Sequence, residues 1–213
     1  MRAIRLGGFS VVIGILSFLA LMYGYEWCAR PLKPAEVDAY MAAISAQRHV
    51  PGGRHDLPSL RRFLETDDGK PVHTVNLYTY RETADYPRGV AFGGSGREAY
   101  ERFSQMMIRQ LALRGSHPIY GSTWMKPDTS SWDRLVIVRY RSRRDMADLF
   151  ASEAFADGVM HNWASLEAND RMLAQAIQLP NGGHIIVLLS LLIATLSYII
   201  GSLVRPRANR EAL

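Results

Sequence analysis

In VHTVNLYTYR, Val72 to Arg81, polar groups recur at every second residue: Thr74, Asn76, Tyr78 and Tyr80. Alternation of this period puts the four on one face of a β-strand. Such a face can orient a small molecule in a cavity, or the same groups can satisfy one another and a subunit interface. His161 is the residue best suited to proton transfer. It could serve as a general base, a proton donor or a haem ligand; the plainer reading is a structural histidine at a helix–strand junction. Arg139 interrupts the apolar run RLVIVRY, where a charge needs a partner or an anionic ligand, and Asp133 is a candidate structural partner. Tyr120 and Trp124, with Trp132, add aromatic surface at a second hairpin, of a kind that serves packing at a dimer seam as readily as recognition. There is no metal-ligand spacing, Ser-His-Asp elbow, phosphate loop or dinucleotide fingerprint, so the residues specify no cofactor.

The elements that must position these groups follow from pattern. PAEVDAYMAAISAQR and SLRRFLETDDG read as two lead-in helices over 34–69, with Val37, Tyr40, Met41 and Ile44 on one face of the first. The Val72 strand comes next, then a Gly-rich loop of about fifteen residues, long enough to serve as a lid. Ser95 with Glu98 forms a capping box for a helix bearing Tyr100, Phe103, Met107 and Leu111, and Gly115 stops it. HPIYGSTWM and RLVIVRY read as a hairpin. Ser142 and Asp145 start another helix, SEAFADGVMHNWASLEAND continues helically, and RMLAQAIQL reads as the last strand. The order β-α-β-β-α-β is the ferredoxin-like plan of an α+β domain, here over 70–180. Its bare sheet face needs a cover, and a second copy supplies one by closing a dimeric barrel. On that reading the Thr74/Asn76/Tyr78/Tyr80 face looks into the barrel, and Val75 and Leu77 pack under the helices.

Two stretches, 6–25 and 185–204, carry no charge over 20 residues each and read as transmembrane helices. Both show small residues at helical spacing, Ser10, Gly14, Ser17 and Gly24 in one and Ser190, Ala194, Ser197 and Gly201 in the other, which suits close packing. The bulky Glu26 and Trp27 argue against a cleaved signal. Arg2, Arg5, Arg205, Arg207 and Arg210 place both termini in the cytoplasm and the domain in the periplasm of a bacterial inner membrane. The net charge of +5 lies wholly in the flanks, since residues 34–180 hold 18 basic and 18 acidic residues. Nucleic-acid binding is excluded on that ground.

Three stretches resemble an uncharacterised family of dimeric α+β-barrel proteins: FLETDDGKPVHTVNLYTYR, SGREAYERF, and WDRLVIVRYRSRRDMADLFASEAFADGVMHNWASLEANDRML. The positions that carry the resemblance are Asn76 (after Val75, where the family has Leu), Gly96 to Tyr100, Trp132 and Asp133, Ser142 and Arg143, and His161. It covers about Leu64 to Ile177 and implies the fold and a homodimer. Asn162-Trp163 departs from the family's Arg-small pair. Looser relatives of the barrel include cofactor-free monooxygenases, haem-degrading enzymes and haem peroxidases. The resulting expectation is a membrane-anchored, extracytoplasmic homodimer that binds or oxidises a small apolar or aromatic molecule. If an enzyme, it is a monooxygenase-like oxidoreductase, with His161 as catalytic residue and Asn76, Tyr78, Tyr80, Tyr120, Trp124 and Arg139 around the ligand. The alternative is a non-catalytic accessory or scaffold subunit of a membrane complex, with the bilayer and other membrane subunits as partners.

Overall fold

A computed structural model describes residues 2–26, 29–47, 56–122, 131–175 and 182–204. The chain forms two compact units: one spans 21–176, and the other is made of 1–20 and 177–213.

Helices do occupy both apolar stretches, α1 at Arg2–Glu26 and α7 at Gly182–Val204. Among the described residues, however, no helix is long and apolar enough to cross a membrane. The reading of two transmembrane spans is corrected on this finding. With it go the integral-membrane assignment, the periplasmic placement of the domain, and the functions that rested on a membrane anchor or a membrane complex.

The 21–176 unit is an α+β fold. Pro34–Ser45 (α2) and Leu57–Glu65 (α3) are the lead-in helices. Then follow β1 (Val72–Tyr80), α4 (Gly96–Ala112), β2 (His117–Gly121), β3 (Arg134–Tyr140), α5 (Arg143–Phe150), α6 (Glu153–Ser165) and β4 (Leu166–Ala174). The four strands form one antiparallel sheet in the order β2-β3-β1-β4, the ferredoxin-like arrangement.

Local chemistry sets the helix starts. Ser95 Oγ accepts from Glu98 N and Glu98 Oε2 accepts from Ser95 N, so two orphan donors of α4 are satisfied reciprocally. Ser142 and Ser152 side chains accept from Asp145 N and Phe155 N at the starts of α5 and α6. α4 ends as Gly115 takes φ +62 and Ser116 N returns to Leu111 O.

Two differences from the sequence reading matter for the site. First, α6 stops at Ser165, and Leu166 passes directly into extended backbone without a loop. LEAND is therefore strand, because Asn169 and Asp170 pair with Tyr78 and Leu77 of β1. Helical spacing in the sequence cannot report this ladder. Second, the two faces of β1 are reversed. Val72, Thr74, Asn76 and Tyr78 are buried on the side of α4 and α6, while Val75 and Leu77 lie half-buried on the other side. Alternation alone says which residues share a face, not which face the helices cover.

The lead-in helices pack Val37, Met41 and Leu64 against Ala147 of α5. Glu36 holds this docking: Arg144 donates to its two carboxylate oxygens at 2.8 and 2.9 Å. That guanidinium first, then the Lys33 amide, lowers the Glu36 carboxyl to about 2 from an ordinary value of 4.5. A depressed carboxyl stabilises the fold above pH 4.5, and that contribution is lost as pH falls from 4.5 toward 2. Urea midpoints measured from pH 5.5 to pH 2.5 should drop steeply in this window. In Glu36→Gln that part of the slope should be missing.

Candidate functional site

The sheet and the helix pair α4/α6 do not close completely. Between them lies a cavity of about 560 Å³, within the range of small-molecule sites, roughly 300–1,000 Å³. Its floor is Thr74, Asn76 and Tyr78 of β1 with Val136, Val138 and Tyr140 of β3. Its roof is formed by α4, through Phe103, Met107 and Leu111, and by α6, through Phe155, Val159 and Trp163.

Aromatic rings crowd one part of the lining. Tyr78 and Tyr100 lie 5.1 Å apart, and Tyr80 meets Tyr100 edge-on at 5.2 Å. Burial, more than any other cause, raises their phenols: Tyr100 to about 12, Tyr78 and Tyr80 well upward, and Tyr140 upward as well. At neutral pH these hydroxyls keep their protons, so they offer hydrogen bonds and not a phenolate base.

Asn76 is fully engaged within the protein. Its Nδ2 donates to Thr74 O, Thr74 Oγ1 and Val136 O at 3.1–3.3 Å, and its Oδ1 accepts from Arg171 Nε at 3.0 Å. It ties β1 to β3 and β4 at the cavity floor.

Three guanidinium groups belong to the lining, those of Arg81, Arg134 and Arg171, against one carboxylate, Glu167. Arg134 sits over the Tyr100 ring at 5.5 Å. Arg81 follows β1, and its backbone N donates to Ser165 O at the end of α6. Its Nε is buried and has no hydrogen-bond partner. Asn162, 6 % exposed and also in the lining, has an Oδ1 in the same condition.

Among the sequence-derived candidates, Asn76, Tyr78 and Tyr120 line the cavity, and Tyr80 packs at its edge against Tyr100. Trp124 lies outside the described residues. Arg139 is on the opposite face of the sheet, 1 % exposed, with its guanidinium 3.7 Å from the Tyr25 ring and donating to Tyr25 O at 3.0 Å. Asp133, its candidate partner in sequence, accepts instead from Tyr80 N at 2.8 Å.

His161 is outside the cavity lining. Its Nδ1 pairs with Tyr86 Oη at 2.7 Å, and Phe92 stands edge-on at 4.7 Å. Burial and then the Arg102 charge lower its pKa, which favours neutral imidazole. Arg102 also donates to Gly93 O at 3.1 Å. The Gly-rich loop, expected as a lid, is thus fastened to α4 and α6. Further bonds from Asp85 N to Ala164 O and from Ala84 N to Gly94 O reinforce it.

The sequence reading did not single out Arg81, Asn162, Arg134, Arg171 or Tyr140. Asn162 had one signal, as a departure from the resembled family's Arg. Among the described residues no group of His, Cys, Asp and Glu could hold a metal ion.

Neither a family model nor a curated protein matches the chain. Two solved structures are similar in fold. RPA0582, a protein of unknown function from Rhodopseudomonas palustris, superposes with a TM-score of 0.50 at 20 % identity, over 57 % of this chain and 94 % of that one. A crystal structure of the methylated RPA0582 protein gives 0.51 and 20 %, over 58 % of this chain and 93 % of that one.

Proposed function

We propose that the 21–176 unit is a small-molecule-binding domain whose site is the cavity between the sheet and the helices α4 and α6. One observation carries this reading: between the sheet and the helices α4 and α6 a half-open space of about 560 Å³ remains, walled by Tyr78, Tyr100, Phe103, Val138, Val159 and Trp163. Packed elements otherwise interdigitate closely. A bound molecule with an apolar or aromatic body fills this space. In the same reading the unit is kin to the dimeric α+β-barrel proteins that its motifs resemble. The half-buried Val75, Leu77 and Ile137 on the outer sheet face suit a homodimer.

The test uses the full chain and two probes, neutral 2-naphthol and anionic 2-naphthoate, followed by calorimetry. At least one of them should bind with a stoichiometry near one per chain. Val159→Trp, which places an indole in the cavity roof, should abolish that binding while the circular dichroism spectrum stays unchanged. Absence of binding by both probes to the unsubstituted chain, or equal binding by Val159→Trp, would remove the cavity as the site.

A further inference from the structure

Strand β4 is an edge of the sheet, and one of its side chains is held over the cavity floor. Register sets Arg171 beside Asn76, and both line the cavity. Arg171 Nε donates to Asn76 Oδ1 at 3.0 Å. Asn76 is itself fixed, because its Nδ2 donates to Thr74 O, Thr74 Oγ1 and Val136 O. A buried amide therefore anchors one end of the guanidinium.

The other end is unpaired. Among the described residues, the terminal nitrogens of Arg171 make neither a hydrogen bond nor an ion pair. Arg171 is an exposed residue, whereas Asn76 beneath it is 3 % exposed, so the guanidinium stands at the opening of the cavity, within reach of a ligand. Its charge also reaches across the floor. Burial is the main cause that raises the Tyr78 and Tyr140 phenols, and the Arg171 charge opposes it at both. Glu167, the carboxylate of the lining, lies four residues back along β4, about 13 Å away along the strand, and does not pair with Arg171.

A planar guanidinium held through Nε presents its two terminal nitrogens together, and this pair matches the two oxygens of a carboxylate. The charges of Arg134 and Arg171 in the lining oppose a cationic ligand. The walls beyond, Tyr78, Val136, Val159 and Trp163 among them, suit an apolar or aromatic body.

Resting on the cavity as the binding site, we infer that its ligand is an aromatic or apolar carboxylic acid bound as the anion, with Arg171 as the carboxylate-binding residue and Asn76 as the residue that positions it.

The experiment titrates the full chain with 2-naphthoate and with 2-naphthamide, which has the same outline and no charge. The naphthoate should bind at least about tenfold tighter. Arg171→Met should bring the two affinities together, and Asn76→Ala should lower their ratio by about threefold or more. A disturbance of the cavity in either variant would weaken both compounds alike, so the ratio within one variant reports the carboxylate contact alone. Equal affinity of the two compounds for the unsubstituted chain, or an unchanged ratio in Arg171→Met, overturns the carboxylate assignment and leaves the binding site standing. An unchanged ratio in Asn76→Ala overturns the positioning role. If neither compound binds, and 2-naphthol does not bind either, the binding site itself is wrong.

Discussion

Gly96→Ala should destabilise the 21–176 unit by at least about 3 kcal/mol, read as a fall in the urea midpoint of the full chain. A methyl group at this position would lie 2.4 Å from Arg81 O, 2.5 Å from Ser165 O and 2.8 Å from Arg81 N. All three are backbone atoms, held by the bonds from Gly96 N to Arg81 O and from Arg81 N to Ser165 O. None can rotate away as the end of a flexible side chain could. The start of α4, the end of β1 and the α6–β4 junction meet here, so relief requires helix α4 to move off the sheet. That movement would also disturb the end of the cavity where Arg81 and Asn162 sit. Gly93→Ala is the control. Its added methyl would meet nothing within 4 Å, and its backbone is not in the left-handed region, so its cost should stay within about 0.5 kcal/mol. A Gly96→Ala midpoint equal to that of the control would show that the junction yields and that the close approach is not required.

Asn76→Ala should cost about 2–3 kcal/mol of stability, again as a lowered urea midpoint. The side chain is 3 % exposed and bonds on both sides of the central strand, to Val136 O on β3 and from Arg171 on β4. Truncation takes the donor from acceptors of the buried Thr74 and Val136 and the acceptor from Arg171 Nε, and buried groups that lose their partners cost more than the bond itself was worth. The partner substitution Arg171→Met, and the double substitution, complete a cycle. Because the two residues touch, their costs should not add, and the coupling should lie in the range of about 1–2 kcal/mol. A cost below about 0.5 kcal/mol for Asn76→Ala would mean that its amide is dispensable to the sheet and free to serve a ligand, as the alternating pattern first suggested.

The sequence by itself determined the local events. Ser95 with Glu98, Ser142 and Ser152 start helices because short-range side-chain bonds satisfy orphan amides, and such bonds need only a few neighbouring residues. Period-two alternation correctly grouped Thr74, Asn76 and Tyr78 on one face. The order of elements in the domain followed from the same short-range signals.

Tertiary structure alone decided which way that face turned. Helices α4 and α6 cover it, and alternation is symmetric between the two choices. The end of α6 was also out of reach, because pairing with β1 draws LEAND into the sheet against its helical spacing. Arg139 found Tyr25 from 114 positions away instead of the nearby Asp133. His161 was drawn to Tyr86 and away from the cavity. Arg81 and Asn162, separated by a helix, two strands and a further helix, converge because the βαββαβ crossover returns the end of α6 to the end of β1. Contacts of this range depend on how the chain closes on itself, and no local spacing carries that information.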